Sequence, residues 1–196
     1  LPDPGGYDAL WVMGGPQDVW QEDAFPWLKA EKAFIRDAVA TRGMPFLGLC
    51  LGHQLLAEAL GGKVAPGTPE IGVMAVDTDG SALFEGLPKV IDALQWHGAE
   101  VTEMPPGATC LASSPACAVQ AMSWGGTAFA AQFHLEVEAD TVANWAAIPT
   151  YAAALENALG AGALPKLDAE VAQRLPDFQA TARQFYRNWK REVGLQ

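Results

Sequence analysis

Two short segments of this 196-residue chain could do nucleophilic chemistry together. The first is Gly48-Leu49-Cys50-Leu51-Gly52, which sets Cys50 between an apolar run and a helical segment. A glycine two residues before and two after marks a nucleophile elbow, a turn so tight that flanking side chains would collide with backbone. Such a turn lifts its central side chain above the C-terminal edge of a sheet, where α/β folds bind ligands. Cys50 also opens a helix, whose free N–H groups and dipole favour the thiolate, the reactive form of cysteine. Cys110 and Cys117 have no such setting and read as core or loop residues.

A thiolate needs a base, and the base an orienting group. Of the three histidines, His53 shares the short helix with Cys50 but has no carboxylate on its face. His97 sits at a strand end in Trp96-His97-Gly98. His134 belongs to Gln132-Phe133-His134-Leu135-Glu136. In extended chain, residues two apart point to the same side, so His134 and Glu136 project together. Each feature has a bland reading: Cys50 as a small buried hydrophobe, His134 and Glu136 as a solvated strand end. The combination is far more specific than either part.

The elements that must hold these groups alternate. Ala9 to Met13 is a continuous apolar run stopped by Gly14-Gly15-Pro16, and Pro45 to Cys50 is another; both suit strands covered on two faces. Helical stripes fall between Pro26 and Ala40 and between His53 and Leu60. This order predicts an α/β fold with a mainly parallel sheet flanked by helices. Shorter strands follow at Gly72–Asp77, Val90–Trp96 and Thr109–Ala112, then a hairpin of Val119–Met122 with Ala128–Phe133. From Ala139 the pattern turns helical: Thr141–Ala147, Tyr151–Leu159, and Leu167 to the end with an interruption at Pro176. We read residues 1–140 as one domain and 141–196 as a helical extension packing on it. Phe178, Ala182, Phe185, Tyr186 and Trp189 form one helix face.

Half of the residues are apolar and 18% charged, which suits a packed core rather than disorder. A net charge of −11 gives no general attraction for nucleic-acid backbones or anionic membrane surfaces. No apolar run is fit to span a membrane, and the opening Leu-Pro-Asp-Pro-Gly-Gly-Tyr-Asp lacks the pattern of a secretory signal. Three cysteines without Cys-x-x-Cys spacing argue for a reducing cytoplasm. Neither a phosphate loop, a dinucleotide-binding glycine pattern nor a metal-ligand spacing is present, so no cofactor and no metal is expected.

With these residues in order, the chain resembles the class I glutamine amidotransferase family. The resemblance runs from about Tyr7 to Glu138. It includes Val12-Met13-Gly14-Gly15-Pro16, the Cys50 elbow with Gln54, Glu70-Ile71-Gly72, Gln95-Trp96-His97-Gly98, Leu111-Ala112-Ser113-Ser114, Gln120-Ala121 and the His134 segment. It is most similar to the stand-alone, GMP synthase-like branch. The resemblance implies a flavodoxin-like fold and a Cys50–His134–Glu136 triad that cleaves the side-chain amide of glutamine. It also implies an oxyanion hole from the N–H groups of Gly15 and Leu51, and a glutamine pocket lined by Gln54, Trp96, His97 and Gly98. Ammonia would pass to a separate synthetase chain. Hydrolysis of other γ-glutamyl compounds by the same triad, and a non-catalytic regulatory module, are the competing readings.

Two departures stand out. The family's final motif usually reads His-Pro-Glu, and here Leu135 replaces the proline. The family's fold also begins with a strand–helix–strand unit before the Gly-Gly-Pro loop. Such a unit needs roughly 30 or more residues, so it is expected to be absent from this chain.

Overall fold

The computed structural model describes residues 1–195. Seven strands form one sheet in the order β1-β2-β7-β6-β5-β3-β4, with α1 and α2 on one face and α5 on the other. The strands are β1 (Leu10–Val12), β2 (Phe46–Leu49), β3 (Lys63–Thr78), β4 (Val90–Glu103), β5 (Thr109–Ser113), β6 (Ala121–Trp124) and β7 (Ala128–Ala131). The helices are α1 (Trp27–Arg36), α2 (Leu51–Ala59), α3 (Thr141–Ala146), α4 (Pro149–Leu159) and α5 (Leu164–Glu192). No helix among the described residues is long and apolar enough to cross a membrane.

The α/β class stands. Parallel pairing joins β1 to β2 and β2 to β7, the part of the sheet that carries the candidate site. The other four pairings are antiparallel. The expected mainly parallel sheet therefore holds for the site-bearing part alone. After Gly62 the strands are joined by turns and short loops, and a parallel return needs a crossover of a dozen or more residues.

Strand β2 shows how the sequence sets the layers. Phe46 packs with Leu28, Ile35, Leu55 and Leu56 of α1 and α2, while Leu47 and Leu49 pack on the opposite face with Phe129, Phe133, Phe185 and Trp189. Alternate side chains point to opposite faces, and both faces are covered, so the strand reads as one apolar run. Helix α1 continues into a π-helical turn, Asp37–Thr41, before the chain turns back into β2.

Strands β3 and β4 are much longer than the sequence suggests. Pro66, Gly67 and Pro69 read as a turn, but the register jumps there from the Pro66–Ala99 pair to the Glu70–His97 pair. A bulge tolerates prolines that a regular ladder excludes, and it re-aims the residues beside it. Pro69 and Ile71 are thereby brought to the wall of the main cavity.

Helix α5 runs through Pro176 without interruption. Proline removes one N–H and frees the carbonyl four residues earlier. Ala172 and Pro176 are both exposed, so the freed carbonyl has access to water. Val171 and Phe178 on either side are buried and hold the helix to the body. Further along, Phe185 and Trp189 enter the core, and Trp189 Nε1 donates to Phe46 O at 3.0 Å. Tyr186, expected on the packing face, is 43% exposed; it stacks on Trp189 and meets Trp11 edge-on.

Candidate active site

Cys50 stands between β2 and α2 with φ 51° and ψ −105°. It is the one non-glycine residue at positive φ among the described residues. That backbone costs on the order of 1–3 kcal/mol, and such strain persists only where the surroundings enforce it. Here the flanking glycines make the turn possible. A Cβ on Gly48 would lie 2.6 Å from Gly52 O, and one on Gly52 would lie 2.1 Å from Val12 O. Both collisions are with backbone, which cannot rotate away. Gly52→Ala is therefore expected to destabilise the fold by about 3 kcal/mol. Gly6→Ala, where a Cβ meets nothing within 4 Å, should be near neutral. Denaturant unfolding of the two variants checks this; equal stabilities would contradict the steric account of the elbow.

The parallel strands bring the other groups to the same edge. The Gly14-Gly15 loop follows β1, Cys50 follows β2, and His134 lies just beyond β7. A Cβ on Gly14 would lie 3.1 Å from Cε1 of His134, 3.3 Å from Cβ of Cys50 and 3.9 Å from its Sγ. The cysteine and the imidazole thus face each other beside one bare glycine. Reciprocal backbone hydrogen bonds with Leu94 of β4 fix His134, at 2.9 and 3.1 Å. Its Nδ1 meets Glu136 Oε1 at 2.5 Å, and the N–H of Leu135 donates to Glu136 Oε2 at 3.0 Å. Burial disfavours a charged imidazole, but the adjacent Glu136 carboxylate and Cys50 sulfur outweigh it and push the pKa of His134 up to about 10. Glu136 is correspondingly held below the usual carboxylate range: burial opposes this, and the His134 charge outweighs burial.

The other two histidines are placed differently. His53 has no exposed surface, and burial, helped by the charge of nearby His97, lowers its pKa to about 3. It is neutral at any physiological pH. His97 Nδ1 pairs with Ala99 O at 3.0 Å, and its Nε2 lies 3.2 Å from Glu70 Oε2. Glu70 is itself tied to Ser114 and Gln120, so His97 belongs to a buried polar cluster.

A cavity of about 450 Å³ opens above Cys50. Gly15, Leu51, Gln54, Trp96, His97 and Gly98 all line it with Cys50, whereas His134 and Glu136 are not among the lining residues. Leu51 is buried and opens α2, so its N–H has no partner within the helix. The Gln54 amide is held by Gln132 Oε1 at 3.0 Å and by Ala99 O at 3.4 Å.

The sequence profile described as glutamine amidotransferase class-I matches residues 3–144. The chain belongs to the class I glutamine amidotransferase family. A glutamine-hydrolysing GMP synthase subunit from Sulfurisphaera tokodaii is 41% identical over 135 residues, 67% of this chain and 69% of that protein. A glutamine-hydrolysing GMP synthase of Thermotoga maritima is 34% identical over 133 residues, 66% of this chain but 24% of that protein. Among solved structures, a glutamine amidotransferase from Thermotoga maritima superposes with a TM-score of 0.82 at 28% identity, covering 98% of this chain and 80% of that one. One from Methylobacillus flagellatus does so with a TM-score of 0.82 at 30% identity, covering all of this chain and 80% of that one. The family profile ends before α4, whereas these two likenesses extend through the C-terminal helices.

Several residues around this candidate site were invisible to spacing arguments. Trp145 of α3 sets its ring edge-on to His134, with centroids 4.5 Å apart. Tyr151 of α4 packs against Trp96 and Trp145, and Thr150, Tyr151, Ala154, Asn157 and Ala158 form one cavity wall. Burial and the nearby Cys50 push the Tyr151 phenol up. The spacing of 150, 151, 154, 157 and 158 is one helix face, a signal present in the sequence, but nothing local says what that face meets. Leu135, which departs from the family's proline, supplies an N–H to Glu136 that proline lacks.

The three thiols differ in setting. Burial raises Cys110, and burial pushes Cys117 up to about 12, against Cys50 on the cavity wall. Iodoacetamide should label Cys50 first in the folded protein. Peptide mapping after partial reaction checks it, and equal labelling of all three would contradict the placement.

Proposed function

We propose that this amidotransferase cleaves the side-chain amide of glutamine through a Cys50–His134–Glu136 triad. The pairing of His134 Nδ1 with Glu136, on a ring that faces Cys50 beside Gly14, carries this reading. With Nδ1 engaged, Nε2 is the nitrogen free to exchange protons with sulfur and substrate. In this reading Cys50 attacks as the thiolate while His134, held protonated beside Glu136, serves as the acid.

The thiolate attacks the γ-carbonyl carbon; a C–S bond forms and the carbonyl electrons move onto oxygen. The N–H groups of Gly15 and Leu51 stabilise that oxyanion. His134 gives its proton to the amide nitrogen, the C–N bond breaks, and ammonia leaves a γ-glutamyl thioester. His134 then takes a proton from water, whose oxygen attacks the thioester carbon. The C–S bond breaks, giving glutamate and the starting thiolate with its imidazolium. Gln54 and the Trp96–Gly98 segment hold the substrate. Residues 1–140 carry this chemistry, and the helices of residues 141–195 pack on the same domain and close one side of the pocket.

Relatives named as one subunit of a glutamine-hydrolysing GMP synthase support an ammonia acceptor on a separate synthetase chain. Three free cysteines fit a reducing, cytoplasmic setting. The test is ammonia release from glutamine against a panel of γ-glutamyl peptides and amines. The reading expects glutamine to be turned over; release of amines from the panel with none from glutamine would replace it.

A further inference from the structure

Among the residues lining the cavity above Cys50 there is one carboxylate, Asp18, and no lysine or arginine. Asp18 lies on the loop between β1 and α1, which carries two further acids. Those two are neutralised: Glu22 pairs with Lys29 and Lys32, and Asp23 lies 4.0 Å from Lys29. The Asp18 carboxylate makes no hydrogen bond or ion pair among the described residues. The loop nevertheless holds the Asp18 main chain in place. Gln21 Oε1 accepts from Asp18 N at 3.0 Å, and Gln21 N donates back to Asp18 O at 3.0 Å. The next residue, Val19, is fully buried, and its carbonyl accepts from Lys32 Nζ at 3.2 Å. An unpartnered carboxylate at the wall of a cavity lined by no lysine or arginine is a recognition group for a cation.

We propose that Asp18 binds an ammonium group of the substrate and selects γ-glutamyl donors that carry one. The proposal rests on the reading of this cavity as a γ-glutamyl site and adds the charge that the site requires. Partial burial without a partner already lifts the Asp18 carboxyl above its ordinary value, and an arriving ammonium relieves that desolvation. The same field disfavours donors with an extra carboxylate on the leaving side, such as γ-glutamyl peptides with a free C-terminus.

Two ammonium groups could occupy this position: the α-amino group of the glutamyl moiety, or the distal amine of a diamine leaving group. Kinetics of wild type, Asp18→Asn and Asp18→Glu separate them. The substrates are glutamine, α-N-acetylglutamine, a γ-glutamyl diamine, and the neutral γ-glutamyl alkylamide of equal length. Asp18→Asn should raise KM for the ammonium-bearing donors by about tenfold with kcat within about twofold, and Asp18→Glu should restore part of the loss. An effect on glutamine that disappears with α-N-acetylglutamine assigns the α-amino group. An effect on the diamine donor beyond that on its neutral counterpart assigns the leaving side. Unchanged KM for every donor, or an equal fall in kcat for all four, would overturn the proposal. Calorimetric binding of glutamine and of the diamine donor to Cys50→Ser needs no turnover. There, loss of affinity on adding Asp18→Asn supports the proposal even if the proposed reaction fails, and unchanged affinity rejects it.

Discussion

Replacing Cys50 with serine or alanine lowers glutamine turnover by about 10⁴-fold or more and leaves the fold in place. The magnitude follows from chemistry. Without sulfur there is no covalent intermediate, and a serine hydroxyl beside His134 has no comparable tendency to ionise. The fold survives because what shapes the elbow is the pair of bare positions at Gly48 and Gly52. Cys50 N still donates to Ala131 O at 2.8 Å, and its carbonyl still accepts from His53 N and Gln54 N at the start of α2. Ammonia release measured beside the unfolding midpoint separates the two effects. A variant within tenfold of wild type in rate would remove Cys50 from the mechanism.

Glu136→Gln comes next in size, with kcat lower by about 10³-fold. The substitution keeps the shape and keeps an oxygen for the N–H of Leu135, but it removes the charge that holds His134 protonated. The imidazole should then titrate well below the raised position it holds beside the Glu136 carboxylate. With the imidazole neutral, the acid needed for the leaving ammonia is lost. NMR titration of the histidine ring protons reads this directly. His134 should be the high-titrating ring in wild type and move down in the variant, while His53 stays neutral in both.

Stability should follow the same pair. The folded-state pKa of His134 is raised, so its contribution is complete below the ordinary histidine value of 6.5 and is lost as pH rises through about 10. That of Glu136 is lowered, so its contribution is complete above the ordinary glutamate value of 4.5 and is lost as pH falls through the depressed one. The stability gap between wild type and Glu136→Gln should therefore be widest between pH 4.5 and 6.5 and narrow on both sides. A gap independent of pH would mean that the two groups do not exchange charge stabilisation.

What could be read from the chain beforehand was local. The elbow is a matter of five consecutive residues, and the shared side of His134 and Glu136 follows from extended backbone alone. The apolar runs of β1 and β2 are likewise self-declaring, because strands covered on two faces need no polar alternation. What spacing could not give depends on distant segments meeting. Trp145 reaches His134 and Tyr151 reaches Trp96 only because α3 and α4 fold back over the sheet edge. Asp18 faces the cavity because Val19 is drawn into the core beneath α1. The prolines misled in both directions: Pro66 and Pro69 hid a long strand behind a bulge, and Pro176 fell where water can satisfy the carbonyl it frees. The hairpin of β6 and β7 was legible around Gly125-Gly126, but the antiparallel pairings of β3 with β4 and β5 were not, since turn-rich sequence says where strands end but not which neighbours they take.

The central claim is a covalent one, that the glutamyl group passes through the sulfur of Cys50. An α-halo ketone analogue of glutamine tests it most directly, with intact mass, peptide mapping and residual turnover followed together. The account predicts one equivalent on Cys50, slowed by glutamine, with activity lost in step with labelling. Full occupancy of Cys50 with turnover undiminished, or inactivation with the label on Cys110 or Cys117, would contradict it.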